Sequence, residues 1–570
     1  MKNMDSLLRS CLLSALLIIT LTSCPSPGGG RDTAAPSLAI LSIRQNAVVH
    51  SGFLVGTVSQ DADLAAVEVS LDGSAWQAAA LSGSGTWTFK LPNGASTWRD
   101  GTAHTIAARA TDTGNNTATA GPITVRKGVN RDVNGDGYED VVVGGRDYSS
   151  SLGRVYVFHS AGSTGVPTAA AASANSIITG GGSRFGFSVA LGDVNGDGYA
   201  DVVVGTNGSI GKVYVFHSAG SAGVTITNEA SASSTISGDA PGQFGWSVAA
   251  GDVNGDGYAD VVVGAFTYNT NTGRVYVFHS ARSAGVTITQ ASSASSTISG
   301  EATTDYLGSS VAAGDINGDG YADVLAAAVG VDPVSADWTG RAYVFHSSGT
   351  AGVTATLAAS ANSVITGEAA GNNFGTWVAA GDVNGDGYTD VIVGAYGYSS
   401  NTGRAYVFHS TGTAGVTTTS AASANSKVTG EASNDSFGTG LSAGDVNGDG
   451  YADVIVGANG YSSDTGRAYV FHSAGIPGIT ATLAASANSV VTGEAGATSF
   501  GAAVAAGDVN GDSYADVVVG AQNYSSGTGR AYILHSSGST GISIAAAGSA
   551  SSILTGEAPG QFGASLVGGY

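Results

Sequence analysis

The sequence predicts an all-β protein, a seven-bladed β-propeller preceded by a smaller β-sandwich. Three observations carry that expectation. A nine-residue acidic motif, read at one place as Asp252-Val-Asn254-Gly-Asp256-Gly257-Tyr258-Ala-Asp260, occurs seven times. Its copies begin 59 to 67 residues apart, the signature of a repeat architecture. Each period holds four short apolar runs separated by Gly, Asn and Ser, which suits a four-stranded antiparallel blade.

Composition agrees. Of 570 residues, 88 are Gly and 10 Pro, and charged residues make up only 11%. Val, Thr, Ser and Tyr are abundant while helix-favouring Lys, Glu and Arg are scarce, a balance for short strands and tight turns. The net charge of -22 argues against a nucleic-acid partner, which would require a basic face.

Taken in order, residues 1–23 read as a secretory signal peptide. Lys2 and Arg9 precede an apolar run at 12–21 that is too short for a convincing membrane span. The run ends in Leu21-Thr22-Ser23-Cys24, which resembles the lipobox of bacterial lipoproteins. That resemblance implies a lipid on Cys24 as the first mature residue, and so a membrane anchor. Pro25 does not resemble an inner-membrane retention signal, which favours the outer membrane and the cell surface. Residues 24–34, with PSPGGGRDT, read as a flexible tether. The only other cysteine is Cys11, within the signal. An exported chain without a disulfide must be held by packing, backbone pairing or metal.

Residues 35–127 carry SLAILSI, FLVGTVS, AAVEVSLDG, TWTFKL, HTIAARATD and ITVRKG, strands of period-2 alternation with turns at Asp72-Gly73 and Asn93-Gly94. They suit a β-sandwich with Trp76 and Trp87 in its core. The pattern resembles the immunoglobulin-like modules of bacterial surface proteins, which implies a spacer between anchor and main domain.

Residues 128–570 are the repeats. In the period starting at 374, the strands are TWVAAG, DVIVGAY, RAYVFHS and NSKVTG. Phe374-Gly375 before the first strand and Gly394-Ala395 after the second, like Phe437-Gly438 and Gly457-Ala458, resemble the FG-GAP repeat of integrin alpha-chain propellers. The resemblance implies seven blades whose loops bind calcium. Leu307 replaces Phe in the fourth repeat, and the family's proline is absent throughout. The Phe-Gly or Leu-Gly signal occurs seven times, at 185, 244, 307, 374, 437, 500 and 562, but the first acidic loop has none before it and the last signal has no loop after it. The segment FGASLVGG should therefore complete the blade opened by residues 132–144, covering two sheet edges.

The acidic motif offers side-chain oxygens at positions 1, 3, 5 and 9, a backbone carbonyl at 7 and a turn-permitting Gly at 6. This resembles the first part of an EF-hand loop, without its bidentate Glu at position 12. The expected calcium ligands are Asp132, Asn134, Asp136, Tyr138 and Asp140 in the first loop, and Asp193, Asn195, Asp197, Tyr199 and Asp201 in the second. They continue as Asp252, Asn254, Asp256, Tyr258 and Asp260, then Asp315, Asn317, Asp319, Tyr321 and Asp323. The fifth and sixth sets are Asp382, Asn384, Asp386, Tyr388 and Asp390, and Asp445, Asn447, Asp449, Tyr451 and Asp453. The seventh is Asp508, Asn510, Asp512, Tyr514 and Asp516, where Ser513 replaces the Gly at position 6. The loop aspartates, three per loop, make up 21 of the 43 acidic residues. About seven bound Ca2+ ions would bring the net charge to about -8, with modest affinity of about 10⁻⁴–10⁻³ M.

His159, His217, His279, His346, His409, His472 and His535 recur once per blade and read as structural, as do the repeated arginines such as Arg274 and Arg404. Asp147, Ser149 and Ser151 match an Asp-x-Ser-x-Ser pattern but fall in a repeated turn. The segment LAAAVGVDPVSADWTG, 325–340, breaks the repeat and makes Trp338 a candidate ligand contact. No nucleophile elbow, zinc-type histidine pair or phosphate loop stands out. The expectation is a surface-anchored protein, not an enzyme, binding an extracellular protein or glycan. The alternatives are a polysaccharide- or lipid-acting hydrolase or lyase, and a purely structural envelope component.

Overall fold

The computed structural model describes residues 34–567 except 42, 44–47, 50–52, 60–63, 82–84, 92–102, 128–130, 332–337 and 497. The expected signal segment, Cys24, the tether through Thr33, the Asn93-Gly94 turn and Pro333 lie outside the described residues.

Two sheets form the N-terminal unit. One orders Leu38–Ile40, Phe53–Val58, Thr86–Lys90 and Ala80–Leu81; the other orders Val48–Val49, Thr117–Lys127, Ala103–Asp112, Leu64–Leu71 and Gln77–Ala78. Alternation decides which side chains face inward. Along Ala103–Asp112 every second residue is buried, from His104 through Ile106, Ala108 and Ala110 to Asp112. Leu54, Val67, Val69, Trp87 and Ile106 share one core between the sheets. Trp87 is fully buried, and its indole N–H donates to the Thr57 carbonyl at 3.3 Å. Trp76 is a correction: it is half-buried outside that core, with the Arg109 guanidinium 4.5 Å from its ring centroid. Arg109 pairs with Glu68 at 2.6 Å. Glu68 alternates with buried Val67 and Val69, so this cluster lies on the face of the sheet away from the core.

From Arg131 onward, seven sheets follow, six of four strands and one of five, numbered here as blades 1 to 7 by the acidic loop each contains. In blade 5 the order from the centre outward is Phe374–Gly381, Asp390–Ala395, Arg404–Phe408 and Ser426–Thr429. Blade 1 has the expected composite origin. Phe562–Val567 supplies its inner strand, antiparallel to Val141–Gly145, with Val143 opposite Leu566. A clasp that was not foreseen adds to it: Ala169–Ala170 pairs in parallel with the outer strand of blade 7 at Leu554 and Thr555.

Seven hydrophobic clusters fill the ring, each shared by neighbouring blades. The cluster closing the ring joins Val143, Tyr156 and Phe562 of blade 1 to Val518, Ile533 and Leu554 of blade 7. The motif residues have plain packing roles. Phe374 meets Tyr406 and Phe408 edge-on, at 5.4 and 6.1 Å. Gly375 takes φ +90°, a left-handed conformation that favours glycine. A Cβ on Gly394 would lie 2.2 Å from the Gly438 carbonyl oxygen of the next blade, so Gly is the residue that lets the blades approach. In the fourth repeat Leu307 fills the Phe position and is fully buried.

Candidate functional site

Six of the acidic loops join the inner strand of their blade to the second strand, and the first, residues 132–140, leads directly into the second strand of blade 1, so all seven lie on one face of the ring. Loop 252–260 shows the local architecture. Asp252 accepts from the backbone N–H groups of Asp256 and Gly257 at 3.0 and 2.7 Å. Asn254 accepts from Asp256 N–H, and Asp256 accepts from Tyr258 N–H, an Asx-type framework that curls the chain around its own oxygens. Asp260 is fully buried and accepts from Val253 and Asn254 at 3.0 and 3.1 Å and from Ser280 N–H at 2.8 Å. It therefore clips together the loop, the second strand and the end of the third. In the seventh loop Ser513 adopts φ +72° and keeps its N–H bond to Asp508, so the turn survives the substitution.

Among the described residues, no group of three or more His, Cys, Asp and Glu side chains closes into a metal cluster. The carboxylates are turned onto amides. The donor chemistry nevertheless fits a hard divalent cation such as calcium. All the side-chain ligands offer oxygen, and an ionised carboxylate keeps acceptor capacity beyond one or two amide bonds. Burial pushes the position-9 carboxyls up, to about 8 in Asp201, Asp260 and Asp323, and the neighbouring aspartates push the same way. At position 1, burial raises Asp193 and Asp315 to about 6 and Asp382 and Asp508 to about 7. Such clustered, dehydrated acids favour a positive ion among them.

The loops also bind the blades to each other, a role the sequence did not reveal. The amide at position 8 donates to the position-1 carbonyl of the preceding loop: Ala259 to Asp193, Ala322 to Asp252, Thr389 to Asp315. Glu139 to Asp508, at 3.3 Å, closes this circle of hydrogen bonds. Ser280 donates its hydroxyl to the Val194 carbonyl of the preceding loop at 2.6 Å, and serines of the other blades do likewise. The tyrosine at position 7, expected to matter only through its carbonyl, lays its ring on the position-4 glycine of the preceding loop. A Cβ on Gly255 would stand 1.9 Å from Tyr321. Tyrosine at that position in all seven loops was the available signal, since a carbonyl ligand demands no particular side chain.

The histidines and arginines are structural here. His159 Nε2 sits against Gly223 of the next blade, and burial holds the imidazole below its ordinary pKa. Arg404 caps Tyr398 at 3.7 Å and pairs with Glu368 at 3.2 Å. Asp147 is taken up by Arg184 at 2.9 Å.

A central cavity of about 810 Å³ runs between the inner strands. On the face opposite the loops, its mouth includes Phe187, Trp246, Ser309, Trp377, Thr439, Arg146 and Gln522. Trp338 lies on this face, 42% exposed, stacked on Tyr306 at 5.1 Å. Trp377, 39% exposed, was missed because its neighbours obey the repeat.

The geometry defines a propeller with acidic loops on one face and an individual set of side chains on the other. Comparison with known proteins agrees. The FG-GAP repeat family matches residues 244–278, 307–345, 374–408, 437–471 and 500–534, and an FG-GAP-like repeat matches 132–204. The ring is an FG-GAP, integrin-like propeller. Among its relatives, integrin alpha-3 of Cricetulus griseus is 34% identical over 24% of this chain and 13% of its own length. Integrin alpha-PS2 of Drosophila melanogaster is 32% identical over 26% and 12%. Phosphatidylinositol-glycan-specific phospholipase D of Bos taurus is 31% identical over 25% and 18%. The chain thus spans about an eighth of the length of the integrin chains it matches. A solved structure, "Structure of Dos1 propeller", matches at TM-score 0.25 with 12% identity, covering 66% of this chain and 83% of that one.

Proposed function

We propose that this is an exported, lipid-anchored binding protein whose calcium-stabilised propeller holds an extracellular protein or glycan ligand. Lipid on Cys24 ties it to the cell surface, the sandwich acts as a spacer, and the ring presents the recognition face. The observation that carries the reading is an asymmetry between the two faces. The loop face repeats its chemistry blade after blade. On the opposite face, the second residue after each Phe or Leu of the Phe-Gly signal is Phe187, Trp246, Ser309, Thr376, Thr439, Ala502 or Ala564, so that face has its own identity. A uniform scaffold below an individual surface is the arrangement of a recognition module. The integrin-like relatives support the extracellular setting.

In this reading the loop aspartates and asparagines hold Ca2+, which neutralises their charge where the loops join the blades. Each loop contributes on the order of 1 kcal/mol at millimolar calcium. Differential scanning calorimetry of the purified soluble portion, with calcium and with excess chelator, is the test. Chelation is expected to lower the melting temperature of the propeller by roughly 5–10 °C. An unchanged transition overturns the calcium part of the proposal.

A further inference from the structure

Several aromatic side chains on the face opposite the loops depart from the repeat. Five of them form a continuous arc across blades 2 to 4. Phe187 meets Trp246 at 4.5 Å, Trp246 meets Phe266 at 4.0 Å, Phe266 meets Tyr306 at 5.8 Å, and Tyr306 meets Trp338 at 5.1 Å. The arc begins at the cavity mouth, where Phe187 and Trp246 line the wall, and ends at the exposed ring of Trp338. Trp377 stands at the mouth on blade 5. These rings are not consumed by the core. Phe187, Trp246, Phe266 and Tyr306 are half-buried, in contrast to the fully buried Phe185, Phe244 and Phe374 of the repeat.

The groups beside the rings are polar and small. Ser309, Thr439, Asn459 and Gln522 line the mouth, and Arg146 is the charged residue at this end of the cavity; the lining acids belong to the loop end. Arg146 also breaks the repeat, standing where the other blades have Asn207, Phe266, Val329, Tyr396, Asn459 and Gln522. Its guanidinium lies 5.2 Å from the Phe187 ring centroid, next to the start of the arc. It donates to neutral amide oxygens, Gln561 at 2.9 Å and Gln522 at 3.0 Å. Among the described residues it forms no ion pair, unlike Arg154, Arg341, Arg404, Arg467 and Arg530, each of which meets a glutamate. Burial and the nearby Arg184 push its pKa down, while the adjacent Asp147 carboxylate, which Arg184 engages at 2.9 Å, pushes it up.

Resting on the extracellular-binding reading above, we propose that this arc and mouth form a binding site for a carboxylate-bearing saccharide. Sugar rings stack on the aromatic faces, hydroxyls meet the amide and hydroxyl side chains, and the carboxylate pairs with Arg146. Stacked rings with a few convergent polar groups supply both contact area and orientation for such a ligand. An ionised oxygen pair also matches the fork of a guanidinium better than any neutral hydroxyl.

Isothermal titration of the calcium-loaded protein with hexagalacturonate and with neutral cellohexaose tests this. The uronate oligomer is expected to bind and the neutral one to bind at least about tenfold more weakly. Arg146→Gln should remove that preference. Trp338→Ala and Trp377→Ala, at exposed rings that leave the fold intact, should each weaken uronate binding about threefold or more at unchanged melting temperature. Equal affinity for both oligomers, or full affinity in the two tryptophan variants, overturns the proposal. So does failure of the uronate to bind while calcium still raises the melting temperature, a result that leaves the calcium-stabilised reading standing. Loss of the calcium effect would instead strike that reading.

Discussion

The sandwich and the propeller solve the same problem in opposite ways. The sandwich gathers Leu54, Val67, Val69, Trp87 and Ile106 into one core owned by a single unit. The propeller owns no such centre. Its apolar side chains lie in seven clusters between neighbours, and its loops add a circle of backbone hydrogen bonds from Asp193 and Ala259 round to Asp508 and Glu139. A blade is therefore not a stable object by itself, and its stability resides in its joints. Damage to the sandwich should stay local, while damage to a joint should spread round the ring.

The strongest break of that contrast is removal of residues 562–567. Deletion strips blade 1 of its inner strand and uncovers Tyr156 and Val143 at the closing joint. The expected outcome is loss of the propeller transition in calorimetry, with aggregation through exposed sheet edges and the sandwich transition retained. Next comes Trp87→Ala, which empties the sandwich core at a cost of about 3–5 kcal/mol. It should abolish the sandwich transition and leave the ring's melting temperature within a degree or so of wild type. Coupled melting of both units in either variant would refute the division drawn here.

Smaller changes sharpen the picture of the joints. Gly255→Ala adds a methyl at φ +70° that meets the Tyr321 ring of the next blade. It should cost about 2 kcal/mol, part of it backbone strain. Pairing it with Tyr321→Ala should recover part of that cost, a coupling visible in a double-mutant cycle by denaturant unfolding. The smallest effect is expected for Arg404→Ala, which loses a partly exposed ion pair with Glu368 and a ring contact with Tyr398. About 1 kcal/mol is the expected size, shrinking with added salt. A larger effect there would show that the ring's rim carries more of its stability than the joints do.

Much of this fold was legible because a repeat writes its architecture seven times. The spacing of the Asp-rich loops located the blades, and the unmatched Phe562-Gly563 located the closing strand. What stayed hidden has a physical pattern. The bonds from Ala259 to Asp193 and from Ser280 to Val194 end on backbone carbonyls, which every residue possesses and none announces. The ring of Tyr321 on Gly255 joins residues a whole repeat apart, beyond any local periodicity. Trp76 was placed in the core on hydrophobicity, but a residue just past the Asp72-Gly73 turn also has the outer face open to it, and Arg109 made that face the better berth. Trp338 was noticed because its segment broke the pattern. Trp246 and Trp377 escaped because single substitutions inside an intact repeat look like drift until the cavity gathers them at one mouth.

The composite blade has a consequence for how the molecule is made. Val141–Gly145 are synthesised near the start of the ring, and their inner partner, Phe562–Val567, comes near its far end. Throughout elongation the first sheet waits with a bare edge. The ring becomes a ring only when the last strand docks, so any companion that guards a nascent edge, or any protease that finds one, has the whole length of translation in which to act.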